Sequence, residues 1–431
     1  MKTIIVPLHL PLRHWFIRKL PALRFAGRWL LLSSLVGVLA GAGSALFLAV
    51  LEAITHFRIE HPALLIGLPL AGAAVAWMYL RFGGRAGGGT SVVLDAVHDA
   101  DTGYERRIPL RMAPMVLIGT WTSHLFGASV GREGTAVQMS AALADAIRRL
   151  LRFEADERRL LVLAGISGGF GAVFGTPVAG AVFGLEVHSA GRIRYDALIP
   201  CLIAAVVGDW TALTLGVTHT AQPALPELPV ELPRLALVIG AGIVFGLAAR
   251  LFVLVTETVR DVLRHRLRSP LLRPVVGGVA VIALTLLVGT TAYNGLSLPL
   301  INASLRGDPS VGPFDWLIKL IFTGVSVGSG FIGGEVTPLF GIGASLGHVI
   351  GMAAGDPALL SAIGFAAVFG AASNTPIACT LLTVEVFGGG SLVYVIVGIV
   401  SAYFISGTRQ LYPAQRIDTP KYLHRRSGEP G

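Results

Sequence analysis

The sequence predicts an all-α, polytopic membrane protein built from two repeated halves, and three observations carry that expectation. Of 431 residues, 53% are hydrophobic and only 14% are charged, against about 25% charged in a soluble domain. Apolar segments long enough to cross a bilayer alternate with shorter ones cut by Gly and Pro. Motifs of the first half return about 200 residues later in the same order.

The long apolar segments fall near 28–54, 62–81, 108–127, 193–217, 231–263, 273–288, 313–332 and 391–406. A helix needs about 20 apolar residues to cross the hydrocarbon core. Between them lie the shorter pieces 87–98, 133–151, 158–168, 177–190, 336–354, 358–370 and 376–387. Half-length helices must meet end to end inside protein, where their free backbone groups line a cavity. The 54 glycines suit helices that pack closely or break within the bilayer. The expected organisation is an N-terminal segment 1–27, a transmembrane domain 28–416 with halves roughly 28–217 and 231–416, and a short tail 417–431.

Net charge is +9, which by itself would suit a nucleic-acid partner. The basic residues instead cluster between apolar spans, at Arg13 to Arg28, Arg148 to Arg159, Arg260 to Arg273, and at Lys421, Arg425 and Arg426. That is the positive-inside pattern, which places these loops and both termini in the cytoplasm. It leaves no basic-aromatic surface for nucleic acid. Segment 218–233 carries acidic residues and no basic ones, so it is expected outside. The N-terminus lacks the short apolar core and cleavage site of a signal peptide. Cys201 and Cys379 sit in apolar runs without metal-ligand spacing, so both read as packing residues, and no metal or cofactor is expected.

The repeat is read residue by residue. GREGTAVQMSAALA and GAVFGTPVAGAVFGLEV in the first half answer to GGEVTPLFGIGASLG and AAVFGAASNTPIACTLLTVEVFG in the second. Glu133 pairs with Glu335, Thr135 with Thr337, Pro177 with Pro376 and Glu186 with Glu385. Such halves are commonly inverted in transporters.

Three broken helices begin at glycine-rich turns: Gly87, Gly88, Gly89 and Thr90 of GGGTS, Gly131, Arg132, Gly134 and Thr135 of GREGT, and Val336 and Thr337 of GGEVT. A helix start carries about half a positive charge and unpaired N–H donors, which favour anions. Glycine lets the backbone approach the ion closely. One such turn alone reads equally as a packing contact; two on repeat-related segments point to a shared anion site. Glu133 adds an ionisable residue where charge is expensive. Its carboxylate competes with the permeant anion, and protonation neutralises it, so it reads as gate and proton carrier together. Adjacent helical residues do not face each other, so Arg132 is expected to turn away to an acid or a carbonyl, with an Arg132–Glu133 ion pair as the alternative.

With these motifs quoted, the chain resembles the chloride-channel (CLC) family over nearly all of 28–416. The carrying runs are GREGT (131–135), FGTPVAGAVFGLE (174–186), GGEVTPLF (333–340) and RQLYPA (409–414). The resemblance implies about eighteen helices in two inverted halves and a homodimer in the bilayer with one anion pathway per subunit. It makes Glu133 the external gating glutamate, and Tyr412 the residue whose hydroxyl contacts the central anion. No regulatory domain is expected after the last helix, as in many bacterial members, and the location implied is the bacterial inner membrane.

The departures are informative. Gly88 stands where chloride-handling members have a serine on the ion. GREGT replaces GREGP, GGEVTP replaces GIFAP, and Val187 stands where proton-coupled chloride exchangers often carry a second, inner glutamate. These differences resemble the fluoride-exporting branch, in which the residues matching Val336 and Thr337 lie beside the anion path. The expected function is fluoride export coupled to proton entry. The alternative is a chloride/proton exchanger or a chloride channel of the same family. Glu335, apolar in chloride members, is open to two readings: a second proton station, or a helix-capping carboxylate.

A membrane enzyme is the rival from another class. GISGG (165–169) fits the serine-nucleophile pattern, which would make an intramembrane protease of Ser167 with His124, His188 or His348 as base. GVSVG (324–328) fits it too, which marks the pattern as a product of composition. A transporter rather than an enzyme is expected.

Overall fold

A computed structural model of the chain describes residues 10–98, 107–151 and 155–421. Arg425, Arg426 and most of the tail lie outside the described residues, as do the side chains of the first basic cluster before residue 26.

The long apolar segments become helices α1 (Leu10–Glu60), α2 (Leu68–Met78), α4 (Met112–Leu125), α8 (Leu198–Thr214), α9 (Leu232–Arg266), α10 (Leu272–Val288), α12 (Asp315–Ser329) and α16 (Leu392–Ile405). The shorter ones become α3 (Thr90–His98), α5 (Glu133–Leu151), α6 (Ala155–Phe174), α7 (Pro177–Glu186), α13 (Val336–Ala354), α14 (Pro357–Ser373) and α15 (Pro376–Phe387). Helix α6 runs beyond its apolar centre at 158–168 because Gly165, Gly168, Gly169 and Gly171 pack against neighbouring helices instead of ending it. Helix α11 (Leu298–Leu305) has no counterpart among the sequence expectations, since eight residues show too little periodicity to be recognised.

Two kinds of short helix emerge. At 19 residues each, α5 and α13 are about 28 Å long and reach across most of a hydrocarbon core. Helices α3, α7, α11 and α15 have 8 to 12 residues and cannot cross alone.

Helix order in the second half, α9 to α16, retraces α1 to α8, and two contacts show the halves running in opposite directions. The turns before α5 and α13 meet as an antiparallel bridge between Gly131 and Gly334, each accepting the other's N–H at its carbonyl. A Cβ at Gly131 would collide with the Gly334 carbonyl, so this approach requires glycine.

The second contact is reciprocal capping. Helices α7 and α15 both start with proline at the first turn, where its missing N–H costs nothing. Glu186, at the end of α7, accepts from Ile377 N (3.2 Å) and Ala378 N (2.9 Å) at the start of α15. Glu385, near the end of α15, accepts from Val178 N (2.9 Å) and Ala179 N (2.7 Å) at the start of α7. The helices are therefore antiparallel, each carboxylate meeting the positive end of the other's dipole.

Phenyl rings fill the space where the halves meet. Phe170 stacks on Phe183 with centroids 4.2 Å apart, Phe340 stacks on Phe365 at 3.9 Å, and Phe174 with Phe340 (5.3 Å) joins the sets. After α16 the chain returns to pair Arg416–Ile417 in parallel with Ser189–Ala190 just beyond α7. That short pairing carries Tyr412 to the centre. Cys201 and Cys379 are free and buried, in keeping with packing roles.

Candidate anion site

Glu133 opens α5 and is fully buried. Its carboxylate crosses to the other half and lies on the start of α13, accepting from Thr337 N (3.1 Å) at Oε2 and from the Thr337 hydroxyl at Oε1. The Arg132 backbone N–H adds a third bond at 3.1 Å. A carboxylate oxygen thus sits at the start of α13, where free N–H donors favour negative charge.

Arg132 does not turn away. Its Nε stands 3.4 Å from Glu133 Oε1, which corrects the expectation from helical spacing. The reason is local: α5 begins at Glu133, so Arg132 lies outside the helix, where the rule for adjacent helical residues has no force.

A cavity of about 320 Å³ leads to Arg132 on the side of the 218–233 segment, lined also by Glu52, His56, Thr218 and His219. A second cavity of only about 10 Å³ has room for about one water. Its lining includes Glu133, Thr90, Val187, Val336 and Tyr412 beside Phe170 and Phe183. Arg132 lines the first space and its neighbour Glu133 the second.

Of the residues singled out from sequence, the structure brings Glu133, Gly134, Thr90, Val336 and Tyr412 to this cavity, with Thr337 bonded to Glu133. The Tyr412 side chain is buried and its hydroxyl has no hydrogen-bond partner among the described residues. Thr90 accepts from Gln138 Nε2 at 3.1 Å. Gly131 is held in the bridge to Gly334. Gly87 and Gly88 are exposed, and Gly89 (φ +55°) turns the chain into α3. Thr135 is placed elsewhere: its hydroxyl is 2.6 Å from that of Thr120 on α4.

Glu335 occupies the N-cap position of α13, but its side chain makes no cap bond. Glu133 of the other half takes the Thr337 N–H that a cap bond from Glu335 would use.

Sequence reasoning missed three contributors. Gln138 lies within the quoted GREGTAVQ run, yet an amide among small residues gave no sign that it would reach Thr90. The phenyl rings look like ordinary apolar filling. Lys319, fully buried on α12, holds Ser129 Oγ (2.8 Å), Gly295 O (2.7 Å) and Tyr293 O (3.1 Å), and so pins the strand of chain leading into GREGT. A lysine inside the apolar run 313–332 was its signal.

The Ser167 hydroxyl donates to Ala181 O at 3.3 Å, and His348 is engaged with Ser304 O. The hydroxyl thus serves α6–α7 packing.

The family description "Voltage gated chloride channel" matches residues 71–407. The chain belongs to this family. Among curated relatives, the "Chloride/fluoride channel protein" of Pseudomonas syringae pv. tomato is 44% identical over 411 residues, covering 94% of this chain and 90% of the relative. The crystal structure of a CLC-type fluoride/proton antiporter superimposes with TM-score 0.87 at 36% identity, covering 91% and 98% of the two chains. A slow cyanobacterial Cl⁻/H⁺ antiporter matches with TM-score 0.73 at 21% identity, over 88% and 94%, a likeness of fold alone. In this CLC fold the bridged turns and the cross-bonded Glu133 lie where the two halves meet.

Proposed function

We propose that this CLC protein is a secondary transporter that exports fluoride in exchange for protons, working as a homodimer in a bacterial inner membrane. The carrying observation is the Glu133 carboxylate seated on the start of α13. While ionised it fills the anion position; once protonated it is neutral and releases it. One residue then accounts for both gating and coupling.

Orientation follows from charge. The loops with Arg148 to Arg159 and Arg260 to Arg273 face the cytoplasm with both termini, and the 320 Å³ cavity opens outward. Protons reach Glu133 from that cavity while the anion approaches from the cytoplasmic side.

Fluoride is small and strongly hydrated, so its path must replace water with donors. Thr337, Tyr412 and the start of α13 offer them. Val336 offers none and narrows the 10 Å³ cavity against a larger ion. The similarity to a fluoride/proton antiporter and to a chloride/fluoride channel protein supports the same substrate. Purified protein in liposomes loaded with fluoride or chloride should release fluoride far faster, with protons taken up in exchange, as read by ion-selective electrodes. Chloride efflux equal to or faster than fluoride efflux would transfer the assignment to chloride/proton exchange.

Glu335 is the second proton station in this scheme, standing in for the inner glutamate absent at Val187. Because it makes no cap bond, Glu335→Gln is expected to slow coupled transport while leaving the melting temperature within about 2 °C of wild type. Normal transport with a lowered melting temperature would assign Glu335 to stability alone.

A further inference from the structure

Arg58 stands in the last turn of α1, where a basic residue complements the helix dipole. Its guanidinium turns from the helix end onto two glycine turns. A Cβ at Gly295 (φ +62°) would stand 3.2 Å from Arg58 Nη2, and one at Gly127 (φ +87°) 3.8 Å from Nη1. Glycine at both places suits the left-handed backbone and leaves room for the side chain. Arg58 Nε is buried there without a hydrogen-bond partner, and among the described residues no carboxylate pairs with Arg58.

The surroundings are basic. Gly295 O accepts from Lys319 Nζ at 2.7 Å, and a Cβ at Gly295 would lie 3.5 Å from His124 Nδ1, so three basic side chains converge on one residue. Asp315, on the same helix as Lys319, is engaged by the Tyr293 hydroxyl (2.8 Å) and by Gly312 N (2.9 Å). Charges taken out of water are paired as a rule. A guanidinium without a carboxylate, set among further basic groups, favours a negative charge from outside the chain.

A cavity of about 50 Å³ opens beside the guanidinium, lined also by Ile59, Pro62, Leu65, Thr291 and Asn294. It shares no lining residue with the 320 Å³ and 10 Å³ cavities. Its volume allows about four water-sized positions, comparable with one phosphate group. Arg58 and Thr291 supply donors on one side, while Asn294 Nδ2 is committed to Gly127 O at 2.7 Å. The other side is apolar. Ile59 is exposed, as are Phe57, Ile66 and Leu70 on the adjoining turns. Arg58 also lies at one end of the apolar span Ala26–Glu60. Exposed apolar groups in such a place mark contact with the membrane, and a phospholipid presents its phosphate directly above its acyl chains. The planar fork of arginine matches phosphate oxygens in pairs.

We propose that this cavity binds the phosphate of a membrane phospholipid, with Arg58 holding the phosphate oxygens and the acyl chains lying along Ile59 and its exposed neighbours. The lipid neutralises Arg58 and ties the end of α1 to the turns at Gly127 and Gly295. The site does not depend on which ion the protein transports. The test uses the full-length protein, freed of lipid in detergent and titrated with phosphatidylglycerol, with the lipid-bound fraction read by native mass spectrometry. Arg58→Gln should weaken binding of the first lipid about tenfold, the size of one lost charge-assisted contact, and Arg58→Lys should recover part of the loss. A galactosyl diacylglycerol with the same chains lacks the phosphate, and should bind wild type about as weakly as phosphatidylglycerol binds Arg58→Gln. Equal binding of the two lipids to wild type would overturn the proposal, as would phosphatidylglycerol affinity in Arg58→Gln within about twofold of wild type. Inorganic phosphate displacing phosphatidylglycerol at equal concentration would also overturn it, by assigning the cavity to a free anion. Should Arg58→Gln fail to fold, Thr291→Ala decides it in the same way, with an expected loss of about fivefold.

Discussion

Glu133→Gln is expected to reduce proton uptake driven by an anion gradient to background, with anion movement either stalled or passive. The substitution keeps the side-chain volume and removes the titratable group. It also disturbs the resting contacts. Glu133 presents two acceptor oxygens to the Thr337 N–H, the Thr337 hydroxyl, the Arg132 N–H and Arg132 Nε. Glutamine has one acceptor and an NH₂ group, so at least one donor faces another donor. An unsatisfied buried donor costs about 1–3 kcal/mol, which weakens the hold of the side chain on the start of α13 without releasing it. Passive leak therefore stays slow while coupling vanishes. The measurement is pH-electrode recording of reconstituted vesicles under a fluoride gradient, alongside growth of a fluoride-sensitive host, which wild type should rescue and the variant should not. Coupling of wild-type size in Glu133→Gln would place the transported proton on another residue.

Glu133 is conspicuous in the sequence, whereas its surroundings are not. Hydropathy and glycine-rich turns were enough to place α5, α13 and α15 at their observed limits, because their starts are marked by glycine or proline. A carboxylate between two glycines in an apolar chain is costly, and cost is visible in sequence. The direction in which Glu133 reaches is not. Its partner Thr337 lies 204 residues away, and only folding of the second half against the first brings the start of α13 beneath it. Arg132 shows the converse error: a helical rule was applied one residue before the helix began. Thr135 and Glu335 match their repeat partners in sequence but not in contact. Tertiary neighbours differ between the halves, so Thr135 meets Thr120 whereas Thr337 meets Glu133. Lining groups such as Phe170 and Phe183 carry no local mark, since an apolar wall looks the same whether it faces lipid, core or a cavity.

Glu186→Ala and Glu385→Ala are each expected to destabilise the protein without touching the anion site, and Glu186→Ala should do so more strongly. Each carboxylate accepts two backbone N–H groups at the start of the opposing short helix. Removing the acceptor leaves both backbone donors at the opposing helix start without their partner. At about 1–3 kcal/mol for each unsatisfied donor, the loss per glutamate is about 2–6 kcal/mol. Glu186 is buried, at 6% exposure, whereas Glu385 is partly exposed, so water can replace more of what Glu385 supplies. Thermal unfolding of the detergent-solubilised protein, followed by tryptophan fluorescence, gives the comparison. Glu186→Gln retains one acceptor oxygen and should fall between wild type and alanine. The two caps close opposite ends of one antiparallel pair, so their effects are coupled. Once α7 and α15 have separated, the second cap has nothing left to hold, and the double alanine variant should lose less than the sum of the single losses. Strict additivity would mean that α7 and α15 are held in place independently of each other. Unchanged stability in Glu186→Ala would remove reciprocal capping as the reason for a glutamate near the end of each short helix.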